Sequence, residues 1–275
     1  MTETGLVEHR RKVVRHVKKV IGKKRCRRNA KRAEPAAVPA ELQKLFASCR
    51  DVFKGPGAVA PPDVVQALCR ILDCMKPEDV GLSKDLIFFN PSGAVKGNPR
   101  VSYTTIYTCQ NFSLCLFFLP ANGVIPLHNH PGMTVFSKLL LGSMHIKAYD
   151  WVDPVLNSSD PCSHRRLARL KANRVFTAPC CTTVLYPSAG GNIHALTAIT
   201  PCVVLDVLGP PYSKQEDRDC TYYTDIPCAK LSNGVTLIEK EEGECYGWLE
   251  ETELPEESQM NIIEYLGPQI IETMS

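Results

Sequence analysis

No stretch of this sequence stays apolar for anything near the ~20 residues that a bilayer-crossing helix needs. The greasiest runs, LCLFFLP and KLLLG, are strand-sized. The chain does not open on the apolar core of a secretory signal peptide. Its first 33 residues contain no serine, which argues against an organellar transit peptide although they are basic and poor in acids. A protein of the nucleus and cytoplasm, with no membrane partner, is expected. The 13 cysteines include no CxxC pair, so zinc-ribbon and thioredoxin-type chemistry find no support. In a reducing compartment most of them are free thiols that pack as small hydrophobes. Internal repeats are absent as well.

What is present is an ordinary globular composition, 44% hydrophobic and 22% charged, in 275 residues. That length suits one sizeable barrel with extensions, or two small domains. The charge is unevenly placed. Residues 1–33 carry 13 Lys/Arg and 2 Glu, leaving 19 basic against 27 acidic residues for the rest. A basic arm is joined to an acidic body. Within the arm, Val13, Val14, Val17, Val20 and Ile21 recur at helical spacing. The segment GKKRCRRNAKR resembles a nuclear localisation signal. A localisation role is favoured over a plain solvated tail. A membrane surface, nucleic acid or another partner is a lesser alternative, and no direct nucleic-acid contact is expected of the body. Residues 1–39 are therefore read as a disordered basic arm and linker, and 40–275 as one domain.

Two helical stretches open that domain, Glu41–Phe53 and Pro62–Met75. In the second, Val64, Val65, Leu68, Ile71 and Leu72 form a one-sided stripe, with Pro62 where a first turn tolerates it. After the turn-rich FNPSGAVKGNPR the texture changes. From about Val101 to Gly247, short β-type runs such as VSYTTIYTC, TVFSKLLLG, RVFTAP and CVVLDVLG alternate with Gly, Pro and Asn. A mainly β sandwich, jelly roll or barrel is predicted, and a parallel α/β sheet is disfavoured.

Chemistry concentrates in GVIPLHNHPG, where His128 and His130 stand two apart. On an extended strand both rings would point to one face, an arrangement that suits a borderline metal ion. Alone, the pair is as well read as two surface residues, and its likeness to an HNH nuclease is confined to three letters. The segment YPSAGGNIHALTAI supplies the second half, with His194 entering a strand after a Pro/Gly turn. Distant strands of an antiparallel barrel can line one cavity, so a three-histidine metal site is expected. His145, His164, His9 and His16 are not assigned as ligands.

GVIPLHNH followed by FSKLLLG resembles the first cupin motif, and PSAGGNIH the second. The glutamate ligand usual in cupins is missing, since Met133, Thr134 and Val135 occupy its place. The longer string IPLHNHPGMTVFSKLLLGSMHIKAYDWV, with LDVLGPPYS and DRDCTYY, resembles the cysteamine dioxygenase family and, within it, the plant cysteine oxidases. The resemblance runs from about Glu41 to the C-terminus and leaves out the arm. It implies a cupin-type double-stranded β-helix holding Fe(II), with O2 and a protein bearing an N-terminal cysteine as substrates. The product would be the sulfinic acid. In plants such substrates include hypoxia-response transcription factors, whose oxidation feeds arginylation and degradation. A monomer is expected. Three neutral imidazoles would leave Fe(II) its full charge and three open positions for thiol and O2, whereas zinc cannot exchange electrons with O2.

Asp206 interrupts the apolar run CVVLDVLG and shares a strand face with Val204 and Leu208. Its face is directed either to water or to a cavity; the resemblance favours the cavity. There it would engage a substrate ammonium or organise nearby hydrogen bonds. Tyr212, after the GPP turn, is a packed turn residue by sequence and a catalytic candidate by resemblance. Cys220 and Tyr222 stand two apart on an expected strand, where simple packing is the ordinary reading and a redox or covalent link the alternative. Two other functions stay open: a small-molecule cysteamine dioxygenase, and a metal-bearing or metal-free binding module whose arm carries the function.

Overall fold

Leu42, Leu45, Phe46 and Cys49 recur at three- and four-residue intervals and form the buried face of helix α1 (Ala40–Val52). Val65, Leu68 and Leu72 do the same for α2 (Pro62–Cys74), which Pro62 starts. Both faces lie on one side of a β-sheet, against Phe112, Leu114, Leu116, Phe136, Val203, Leu205 and Val207. The computed structural model describes residues 39–55, 60–83, 100–152, 165–227 and 245–272. The basic arm with its apolar stripe, His164 and nearly all of FNPSGAVKGNPR lie outside these.

Twelve strands follow among the described residues. They are β1 (Ser102–Thr108), β2 (Ser113–Leu119), β3 (Val124–His128), β4 (Thr134–Leu141), β5 (Ser143–Trp151) and β6 (Arg165–Thr177). The remainder are β7 (Thr183–Leu185), β8 (Ile193–Ala198), β9 (Cys202–Gly209), β10 (Tyr222–Pro227), β11 (Tyr246–Thr252) and β12 (Asn261–Ile262). One sheet has the order β12-β1-β2-β9-β4-β7. The other six close on themselves as β10-β11-β6-β5-β8-β3. Closure rests on the pairing of Tyr222 with His128. This is the cupin-type double-stranded β-helix, with two helices on the N-terminal side.

Strand β9 shows why an unbroken apolar run occurs in an antiparallel sheet. All eight of its residues are buried. Val203, Leu205 and Val207 pack under the helices, while Cys202, Val204, Asp206 and Leu208 face the space between the sheets. The same geometry buries Lys138 of β4 on the helical side. Its ammonium donates to Asp73 at 3.2 Å and to the Cys180 carbonyl at 2.5 Å, pinning the end of α2. Strand β6 is longer than RVFTAP suggests, because cations on both faces of its first half, RRLARLK, break up the apolar alternation.

Candidate metal centre

Strand β3 pairs regularly with β8 at Val124–Thr197 and Ile125–Leu196, and then the register slips so that His128 faces His194. Three residues of β3 thus span two of β8, a bulge at Pro126 and Leu127. Without it Leu127 would stand opposite His194. The bulge turns Leu127 into the smaller core with Tyr149, Ile193 and Tyr223, and His128 toward the histidines. His130 lies just beyond the strand end, so its placement does not come from strand alternation. The three rings form a near-regular triangle with centroids 4.8–4.9 Å apart. Their potential ligand atoms lie within 4.8 Å of one another. All three are buried, at 8%, 3% and 8% exposure, which excludes the surface-pair alternative for His128 and His130.

Their protonation suits ligation. His128 Nδ1 donates to the Pro126 carbonyl at 2.8 Å, which leaves Nε2 as its lone-pair nitrogen. His130 Nδ1 lies 2.8 Å from the Tyr212 hydroxyl, while its Nε2 is buried without a partner. A buried lone pair with no donor is costly, and a metal ion resolves it. Burial lowers the pKa of His128, and burial with the neighbouring rings lowers that of His130 well below the ordinary value. His194 is brought down to about 3 by burial and by His128. Three neutral imidazoles therefore converge, and no carboxylate joins them among the described residues. Met133 and Val135 are buried in the cores flanking the site, and Thr134 is buried beside them. The donor set fits a divalent transition metal.

The turn ahead of His194 is held by two residues that sequence reasoning did not single out. Asp150 accepts from the backbone amides of Gly190, Gly191 and Asn192 at 3.1, 2.7 and 3.1 Å. Asn192 in turn clamps His130, accepting from its amide at 3.2 Å and donating to its carbonyl at 2.9 Å. One carboxylate thereby sets two ligands. Gly191 has φ +85°, and a Cβ there would stand 2.8 Å from that of Ala148, so glycine is required. The available signal was an acid inside the apolar run AYDWV, the same kind of interruption that marks Asp206.

Tyr212 reaches the centre by its hydroxyl, which donates to the Asn129 carbonyl at 2.8 Å and accepts from His130 Nδ1. It is a positioning residue. The Cys220 thiol lies beside the Tyr212 and Tyr222 hydroxyls. Burial raises the pKa of all three groups. Tyr222 also pairs with His128 across β3 and β10. The sequence-predicted residues thus meet in one cluster. Tyr212→Phe should lower metal affinity about 10- to 100-fold, as loss of a group orienting a ligand does. Iron titration beside a thermal melt would test this, and an unchanged affinity would reduce Tyr212 to packing.

Asp206 lies on the inner face of β9, at 7% exposure, close enough to Tyr212 to raise its pKa. Its Oδ1 has no partner. Burial pushes the carboxyl up to about 7, opposed only by a hydrogen bond from Ser137. In the unfolded chain the group ionises near pH 4, so between about pH 4 and 7 the unfolded state is charged and the folded state neutral. Its favourable contribution is present at low pH and lost as pH rises to 7. Asp206→Asn should therefore stabilise the metal-free protein at pH 8 by on the order of 2–4 kcal/mol, with the gap closing below pH 4. Urea melts at several pH values measure this, and a gap independent of pH would refute it.

A cavity of about 310 Å³ adjoins the centre. It runs between the sheets, from His194 past Ser137, Ile146, Leu196 and Val204 to Lys171 and Arg174. His145 lies away from the centre, bonded to Asn173 at 2.8 Å.

The PCO_ADO family model matches residues 71–270. Plant cysteine oxidase 1 of Arabidopsis thaliana is 47% identical over 251 residues, covering 88% of this chain and 85% of that protein. Plant cysteine oxidase 2 of the same plant is 47% identical over 249 residues, covering 90% and 89%. The 2-aminoethanethiol dioxygenase of Homo sapiens is 30% identical over 197 residues, covering 64% and 72%. Among solved structures, an RmlC-like cupin protein from Desulfovibrio desulfuricans aligns at a TM-score of 0.29 and 17% identity, over 47% of this chain and 97% of that one. With both histidine segments, Asp206 and Tyr212 inside the matched residues, the chain belongs to the PCO_ADO family.

Proposed function

We propose that the chain is a non-haem Fe(II) thiol dioxygenase that oxidises the N-terminal cysteine of proteins to cysteine sulfinic acid. The observation that carries this is the triangle of three buried, neutral histidines without a carboxylate among the described residues. The similarity to two plant cysteine oxidases over most of their length supports the substrate. When bound, Fe(II) would bring O2 and thiol together and supply the charge that holds the thiol as thiolate, while the sulfur gives up the four electrons that reduce O2. The protein's part is to hold His128, His130 and His194 neutral and aimed at one point. Tyr212 fixes His130, and Asp150 and Asn192 fix the segment bearing His130 and His194. The unpartnered Oδ1 of Asp206 suits the substrate's N-terminal ammonium, a cation that would bring its carboxyl back to the ionised form.

Such a reaction makes the stability of a substrate protein depend on oxygen. Plant hypoxia-response factors entering an arginylation-dependent degradation pathway are the substrates that fit this reading. The basic arm, residues 1–33, suits nuclear as well as cytoplasmic localisation and a monomer is assumed. Protein loaded anaerobically with Fe(II) should, on admission of O2, add two oxygen atoms, about 32 Da, to a Cys-initiated peptide. Deleting residues 1–33 should shift a fluorescent fusion out of the nucleus and leave that mass gain intact. Oxidation of free cysteamine alone would instead make it a small-molecule enzyme. Bound zinc with no O2 uptake would make it a binding module.

A further inference from the structure

The cavity beside His194 has one wall whose chemistry the reaction at the metal does not use. On β6, Ala172, Arg174 and Phe176 pair with Ala148, Ile146 and Met144 of β5, and all six side chains line the cavity. Arg174 is thus turned inward by register, and its guanidinium lies 4.6 Å over the Phe176 ring. Lys171 arrives by another route. The register slips between Ala148 and Tyr149, which face Ala172 and Leu170, so Lys171 is the extra residue of a β-bulge. Its Cβ lies within 4.0 Å of where a Cβ on Gly191 would stand, in the turn that leads to His194. Both residues are exposed, and neither has an acidic partner among the described residues. No acid lines the cavity, whose remaining wall is mainly apolar.

We propose that this cavity receives the substrate chain behind its N-terminal cysteine, and that Lys171 and Arg174 pair with an acidic side chain carried there. The proposal rests on the peptide-oxidase reading above. Strand β6 lies two strands from β8, so the backbones of His194 and Arg174 are separated by roughly 12 Å, given strand spacing and rise. An extended peptide covers that distance in roughly three or four residues. The α-carboxylate of a free amino acid lies too near its own sulfur to reach the pair while the thiol is at the histidines. The carboxylate therefore belongs to a residue further along a peptide. The apolar wall between suits small or apolar residues at the intervening positions.

The test uses full-length, Fe(II)-loaded protein and alanine-based peptides starting with Cys, each with one Asp, Asn or Lys at position 3, 4 or 5. Asp at the best position should lower KM about three- to tenfold against Asn, and Lys should raise it, as expected for partly exposed ion pairs. The preference should collapse toward unity in the K171Q/R174Q variant and in ~0.5 M salt. In that variant kcat for the Asn peptide should stay within about twofold of the parent, because neither residue belongs to the centre. Equal KM for Asp and Asn peptides in the parent protein would overturn the proposal, as would a preference that survives the double substitution. Free cysteine preferred over cysteamine, with the preference lost in the variant, would reassign the cations to an α-carboxylate and also overturn it. Anaerobic peptide binding, read by fluorescence anisotropy, separates this inference from the one beneath it. An Asp preference in binding with no mass gain on O2 supports the groove and sinks the peptide-oxidase reading.

Discussion

Replacing His194 by Ala should leave a folded protein that retains almost no iron and adds no oxygen to a Cys-initiated peptide. Changes in groups that merely orient a ligand cost about 10- to 100-fold in metal affinity, so loss of one of three ligands should cost more than that. The two remaining imidazoles cannot compensate, because no carboxylate stands within reach among the described residues. The fold should survive. His194 sits within a β8 that keeps its pairing on both sides, with β3 and with β5. Iron analysis, circular dichroism and peptide mass spectrometry on one sample decide it. Stoichiometric iron with full turnover would remove His194 from the centre.

The second large effect is expected at Asp150, which touches no ligand directly. Asp150→Ala would deprive three backbone amides of their acceptor; two of these amides, at Gly191 and Asn192, are buried. Leaving a buried donor unsatisfied costs about 1–3 kcal/mol, and water entering the space made by the truncation will recover part of that. A loss on the order of 3–5 kcal/mol is expected, measured by urea denaturation. The distinctive consequence is at the metal. The freed turn carries Asn192, whose amide clamps His130, and leads directly to His194. Iron affinity should therefore fall about 10- to 100-fold even in the fraction that remains folded. Asn192→Ala should reproduce the metal defect with a smaller loss of stability. A variant at Asp150 that is destabilised yet binds iron as tightly as the parent would confine this residue to the fold.

Much of this arrangement was legible in the chain. The helices begin and end within a residue of where their apolar stripes place them, because amphipathic periodicity and a first-turn proline are local properties. The β texture and the paired histidine segments likewise pointed to a barrel with one centre. Strand β6 was legible only in its last residues, since cations on both faces of its first half leave no apolar alternation. Asp150 and Asn192 were missed because their importance lies in which backbone amides they meet across 40 to 62 residues of sequence.

The placement of His130 marks the division most clearly. Spacing suggested that His128 and His130 share a strand face, yet His130 lies past the strand and is held by Asn192 and Tyr212. His128 reaches the same point through a bulge that reverses the facing of β3 after Ile125. The donor atoms are a local property of the chain: three imidazoles, and no glutamate where a cupin would have one. How they converge is a property of the folded chain. A register slip of one residue exchanges the two faces of a strand, and that slip is set by pairing with β8 and by the turn that Asp150 holds.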